Sequence, residues 1–390
     1  MPPAEALGWG MTVLQPSSGD ADLARYLGSA HSPQPIVITG LGLVLPCGDG
    51  VKAARESLTS GVPCFSDLPE ALGHGRGAAC TSFNPTGIIP PMQLRRLDRP
   101  SRFAWVAAHQ AFQDAALDPK PIGARIAVAV GTMTGGSEAS EAFMRPYLQR
   151  GPEGASPLIF PNSVANAASG HLALAFGLKG PGATFVDREN AAFAALDQAA
   201  RWLRAGLAEV ALVIGTDGLF PLLLDVCRGA RLLARHGDPG VGSSRGFLPG
   251  EGAQAFLLES RAHAEARGAR PRATLRALAS RSTPSDIEKE RYTALSGAVA
   301  ALGEVSVDRQ IGGGNGLSRL DALESRLADS HPDWPAAVHP KRLWGEFSGS
   351  GGQLLGAALL EPADRVLVTA PASGGAQFAA ILEGVSLERP

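Results

Sequence analysis

At 390 residues the chain exceeds the size at which one hydrophobic core stops growing, so two domains or one body of two similar halves is expected. Hydrophobic residues at 45% against 18% charged exclude a disordered chain and leave a packed α/β body as the natural class. With 35 Lys and Arg against 37 Asp and Glu, the net charge of -2 excludes a global footprint for nucleic acid or an anionic membrane.

An acidic partner would have to be met by a local patch, such as Arg95, Arg96, Arg99 and Arg102. Cys47, Cys64, Cys80 and Cys227 show no CxxC spacing, which argues against a zinc site or a disulfide framework and fits a reducing cytoplasm. There is neither a secretory leader pattern nor an apolar run of about 18 residues, so a cytoplasmic location is expected.

In chain order, residues 1–35 read as an extension with a single helical turn at 22–27. A β-branched strand over 36–40 should then be stopped by Gly40 and Gly42, and further strands are predicted at 126–130, 183–187, 210–214 and 253–258. Helical periodicity over 103–117 and 191–205 falls between them, the alternation that builds parallel sheets covered by helices. After Ser260 the pattern restarts, with strands at 273–278, 366–369 and 378–382, helices near 292–302 and 320–327, and a proline-rich loop over 334–340.

The run from Ala191 to Leu196 is apolar all round, so its helix should be buried with its N-terminal amides inside the protein. Asn190 stands at this strand-to-helix junction, where enzymes expose reactive side chains. Read without further context, it is a helix N-cap. His109 and His171, in apolar stretches, read as satisfied core histidines, and Cys227, in a leucine-rich segment, as a buried and inert thiol.

Several motifs occur in the order found in the β-ketoacyl synthase family, which the chain resembles from about residue 35 to 383. They are the opening Ile36 to Gly42; Gly131-Thr132 with Gly135-Gly136; Phe160-Pro161-Asn162, Asn166, Gly170 and Gly180-Pro181; Gly250-Glu251-Gly252; and Ser373-Gly374-Gly375. The resemblance implies a thiolase-like fold: two similar βαβαβαββ halves in a five-layer αβαβα body, here 36–260 and 261–390. It also implies condensation through an acylated cysteine assisted by two histidines, with no cofactor and no metal.

Three departures fall where that chemistry would be. Asn190 takes the cysteine's place, and its amide lone pair is delocalised, so no acyl intermediate can form there. Asn315 takes the first histidine's place, with a short deletion nearby. Lys341, Gly345, Gly349 and Gly352 keep the frame of the second histidine, while Glu346 replaces the imidazole; an ionised Glu346 would repel an enolate, and an ion pair with Lys341 is expected. Ser373 stands for the family's gating phenylalanine and Leu355 for a customary carboxylate.

Within the family, the resemblance points to the chain length factor, a non-catalytic partner of an active, cysteine-bearing ketosynthase in type II polyketide systems. Glutamine is the usual replacement there; asparagine after Glu189 leaves polyene or other reducing systems open. Phe160, Asn162, Asn166, Phe193 and Ser373 would then shape the dimer face and acyl tunnel, with acyl carrier protein met through the heterodimer. Two alternatives stay open: rebuilt chemistry such as decarboxylation, acyl transfer or hydrolysis at Asn190, Asn315, Glu346 and Lys341, and a simple carrier or acyl-binding module.

Overall fold

The computed structural model describes residues 35–235, 237–239, 245–304, 306–347, 349 and 351–387. The expected N-terminal extension, with its turn at 22–27, lies outside the described residues except for Pro35.

The first half contributes strands β1 (Ile36–Leu45), β2 (Ile126–Gly131), β3 (Gly182–Phe185), β4 (Val210–Asp217) and β5 (Gly252–Ser260). Its main helices are α1 (Val51–Ser60), α2 (Arg99–Asp114), α3 (Ser137–Arg150), α4 (Ala167–Phe176), α5 (Ala191–Arg204) and α6 (Pro221–Gly229). Beyond Ser260 come β6 (Ala273–Ser282), α7 (Glu288–Ala300), β7 (Arg309–Gly312) and α8 (Ser318–Ser330). The short α9 (Lys341–Trp344), α10 (Gly351–Ala358), β8 (Ala363–Ala370) and β9 (Ala376–Val385) complete the chain.

The strands join in one mixed sheet, ordered β7-β8-β9-β6-β1-β5-β4-β2-β3, with Gly48–Asp49 folded back on β1 as a tenth. Both halves repeat one internal order. From the outer edge inward, the first half runs third, second, fourth, fifth, first. In the second half a parallel bridge from Val338 to Ile311 fills the third position, and β7, β8, β9 and β6 follow in the same sequence. The two leading strands meet antiparallel, Ile36 opposite Leu275, and close the seam between the halves.

Strand alternation sorts the core into layers. Ile126, Val128, Val130, Val210, Leu212 and Ile214 pack with α2 and α4 on one side. Ala127, Ala129, Ala211 and Val213 face the opposite way, into a cluster shared with α5, α10 and the strands of the second half. Leu295 and Val299 of α7 and Leu320 and Leu327 of α8 cover the far side. Helix, sheet, helix, sheet, helix is thus the observed stacking. Phe193 and Leu196, inside the central layer, each contribute about 1.5–3 kcal/mol through burial.

The expected stop at Gly40 and Gly42 is not observed: β1 runs through both to Leu45, with a register shift between Ile38 and Gly40. A Cβ on Gly42 would stand 1.9 Å from the Ala107 carbonyl oxygen, and one on Gly40 2.3 Å from that of Ala111. The glycines admit α2 against the strand; they do not turn the chain. Among the described residues, no helix is long and apolar enough to cross a membrane.

Candidate functional site

The chain leaves β3, passes Val186 and Asp187, and enters α5 through a tight turn at Arg188–Asn190. Arg188 holds a φ of 44°, a left-handed conformation rare outside glycine, so the junction is strained. Asn190 occupies the N-cap position, 1% exposed, yet its side chain does not cap the helix. Its Nδ2 donates instead to the carbonyls of Ala370 (2.8 Å), at the end of β8, and Ala376 (2.9 Å), at the start of β9. The capping expectation is corrected for that reason: two acceptors of the second half turn the amide away from the first helical turn.

Beside it, Glu189 is buried and accepts hydrogen bonds from the Ser373 backbone N–H (3.2 Å) and from the Ser373 hydroxyl. Where the family resemblance places a gating aromatic ring, a small hydroxyl is bonded to the residue preceding Asn190. Both residues at the mouth of α5 are therefore fastened to the loop between β8 and β9. An open cleft of about 400 Å³ lies over this point, lined by Asp187, Arg188, Thr283, Arg291, Ser373 and Gly374.

A second cluster forms from the loops after β7 and α9. Asn315, fully buried, donates from Nδ2 to Glu346 Oε2 at 2.6 Å and accepts from the Leu317 N–H at 2.9 Å. Lys341 Nζ donates to the same Oε2 at 3.0 Å, with Lys341 1% and Glu346 7% exposed. Gly316 (φ 98°) and Gly345 (φ 82°) provide the left-handed turns that aim Asn315 and Glu346 at each other. Taking two charges out of water is costly, so a pair this deep needs the extra hydrogen bond that Asn315 provides.

Asp217, at the end of β4, was missed by sequence reasoning. Its buried carboxylate accepts from Thr132 Oγ1 (2.7 Å), Thr134 N and Oγ1 (3.0 and 2.6 Å), Met133 N (3.0 Å) and Gly349 N (2.6 Å). Burial pushes its pKa up, against the pull of these donors. It ties the Gly131-Thr132 loop to the segment joining Glu346 to α10. The available signal was Thr216-Asp217-Gly218 closing a strand next to that loop. A cavity of only about 40 Å³ remains here, bordered by Met133, Asp217, Cys227, Phe247, Glu346 and Phe347. Sites for drug-sized ligands are about 300–1,000 Å³. Burial also raises the Cys227 pKa, keeping that thiol protonated and a poor nucleophile.

The remaining candidate residues are dispersed. Phe160 is 59% exposed and Asn166 lies on the surface before α4. Asn162 is buried, donating to the Arg96 carbonyl (2.7 Å) and meeting His171 Nε2 at 2.7 Å. Phe193 packs in the central layer against Phe378, ring centroids 5.8 Å apart. What the structure assembles is thus Asn190 bonded through its Nδ2 to the second half, with its Oδ1 left without a hydrogen-bond partner among the described residues, and a separate cluster in which Asn315 and Lys341 both donate to Glu346.

Residues 33–264 match the β-ketoacyl synthase N-terminal domain. The 3-oxoacyl-[acyl-carrier-protein] synthase 2 of Synechocystis sp. is 31% identical over 250 residues, 60% of either chain. Its namesake in Staphylococcus aureus is 29% identical over 246 residues, 60% of this chain and 59% of that one. The chain thus spans about 60% of the length of the curated relatives it matches. Among solved structures, the ishigamide ketosynthase/chain length factor superposes with a TM-score of 0.80 at 23% identity, covering 91% of this chain and 100% of that one. A β-ketoacyl synthase from Burkholderia phymatum gives 0.81 at 19%, covering 90% and 100%. At those identities the likeness is one of fold. The domain match alone covers more than half of the sequence, and with the doubled α/β architecture it makes this chain a member of the β-ketoacyl synthase family.

Proposed function

We propose that this chain is a chain length factor: a non-catalytic subunit that pairs with a cysteine-bearing ketosynthase in type II polyketide biosynthesis, in an aromatic, polyene or other reducing system, and sets product length. The observation that carries this reading is the amide of Asn190, held by the Ala370 and Ala376 carbonyls where the family's nucleophile would stand. An amide nitrogen cannot be acylated there, and one fixed by two acceptors has no freedom to take up another role.

An edge strand and an apolar surface support the partner. β3 ends the sheet, so its outer backbone groups are available to another chain. Around it Phe160, Val164, Leu174 and Val186 are exposed by 59%, 52%, 85% and 58%, an apolar grouping of the kind an obligate interface covers. Phe160 and Asn166 would lie on this face, and bulk there would limit how far the partner's acyl chain extends, because an overfilled apolar channel cannot admit another unit. A groove of about 280 Å³ lined by Arg76, Arg228, Arg231 and Arg235 over leucines suits an acidic carrier protein arriving with the partner.

Co-expression with a cysteine-bearing ketosynthase encoded beside this chain should give a stable heterodimer on size exclusion. A monodisperse homodimer indifferent to that synthase would remove the proposal. Carbon dioxide released from malonyl-carrier protein by the purified chain alone, and lost in Glu346→Gln, would favour rebuilt chemistry at Asn190, Asn315, Lys341 and Glu346 instead.

A further inference from the structure

Cys47 lies in the turn between β1 and the short strand Gly48–Asp49, and Cys64 lies four residues beyond the end of α1. The fold brings them together beside a hydroxyl. Ser57 Oγ is 3.6 Å from Cys64 Sγ, and Cys47 lies close enough that it, Ser57 and Cys64 shift one another's titration. The cluster is braced from below: the Trp344 indole N–H donates to Ser57 Oγ at 2.9 Å, and the Cys64 backbone N–H donates to the Leu343 carbonyl at 2.8 Å. Both cysteines are only partly buried, whereas Cys80 and Cys227 are 3% and 6% exposed.

We propose that Cys47 and Cys64 are a reactive dithiol, a modification site that a low-molecular-weight disulfide such as oxidised glutathione converts into an intramolecular disulfide. The two sulfurs have different roles. The proximity of Cys47, opposed by burial and helped by Ser57, lowers the Cys64 pKa, making Cys64 the more readily ionised of the two. The same contact, with burial added, raises Cys47, which stays a protonated thiol until called on. A low-pKa accessible thiolate beside a resolving thiol is the arrangement that favours reversible oxidation.

The Cys64 thiolate attacks one sulfur of glutathione disulfide, breaking that bond, forming a mixed disulfide and expelling one glutathione thiolate. Cys47 then loses its proton and attacks the Cys64 sulfur, and the second glutathione leaves as thiolate and takes up a proton. Two protein thiols are oxidised and one disulfide is reduced to two thiols. The resulting bridge ties the end of β1 to the segment bonded to α9, the helix that carries Lys341. Cys80, its thiol raised by burial first and by the Glu251 charge, does not compete.

The test is to equilibrate the full chain with rising ratios of oxidised to reduced glutathione, quench in acid, alkylate under denaturing conditions and map the peptides by mass. Cys47 and Cys64 should lose alkylation together and appear in one cross-linked species, with Cys80 and Cys227 alkylated throughout. In Cys47→Ser, Cys64 should instead retain glutathione. In the reduced native protein at neutral pH, Cys64 should react with iodoacetamide at least about tenfold faster than Cys80 or Cys227. A Cys64 alkylated throughout the series, or a lasting glutathione adduct in the unaltered chain with Cys47 still free, would overturn the assignment. Neither result depends on the variant folding.

Discussion

The side-chain amide of Asn190 is hydrogen-bonded to the carbonyl of Ala370 at 2.8 Å, which fastens the start of the central helix to a strand end 180 residues away. With the second bond, to Ala376, it joins the start of α5 to both strands that flank the loop between β8 and β9.

Restoring sulfur at this position should therefore cost stability without creating a synthase. Asn190→Cys would leave the Ala370 and Ala376 carbonyls without their donor, at roughly 1–3 kcal/mol each for a buried group. Chemical denaturation should show a midpoint well below that of the unaltered chain. Incubation with acyl- and malonyl-carrier thioesters should yield no condensation product by mass, because on the proposed reading Glu346 and Asn315 stand in for the imidazoles.

Lys341 and Glu346 should behave as one unit. Lys341→Met removes the cation facing a buried carboxylate and is expected to cost about 3–5 kcal/mol. Lys341→Met combined with Glu346→Gln should recover most of that loss, since the uncompensated charge is gone. A loss in the double variant equal to the sum of the two single losses, read by urea unfolding, would show that the two do not interact.

Glu138 provides a pH-dependent test. Burial first, and then the negative charge of Asp98, push its pKa from 4.5 to about 7, and its Oε2 finds no hydrogen-bond partner among the described residues. An acid whose folded pKa lies above its unfolded one holds its proton more tightly when folded, so unfolding free energy should fall as pH rises from about 4.5 to about 7. Glu138→Gln should flatten that decline and stabilise the chain above pH 7 by roughly 2–3 kcal/mol. Melting curves across this window would read both effects.

Gly42→Ala should be among the most damaging single-methyl changes in the molecule. The added carbon meets the Ala107 carbonyl at 1.9 Å, so α2 must withdraw from β1, with an expected loss of about 3 kcal/mol. A neutral result in thermal unfolding would show that the seam between strand and helix is looser than this contact implies.

Local pattern made the α/β alternation, the restart after Ser260 and the buried helix at Ala191 legible. Helices α1, α3, α4, α6, α9 and α10 and strand β7 were not foreseen. α10 opens with Gly351-Gly352, which reads as a loop, yet a Cβ on Gly351 would lie 3.0 Å from the Phe193 ring and one on Gly352 2.5 Å from Gln254. Its glycines are there for close packing, a reason no helical propensity records. Gly40 and Gly42 misled for the same cause.

By itself the amino-acid sequence determined the doubled strand-helix order and singled out Asn190, Asn315, Lys341 and Glu346, since both are written in local period and motif order. Only the tertiary structure decided what these residues bind: Asn190 binds Ala370 and Ala376, Glu189 binds Ser373, and Asn315, Lys341 and Glu346 close on one another. Most of these partners are separated by long stretches of chain. Hydrogen bonds form by distance in the folded core, so local periodicity alone could not specify them.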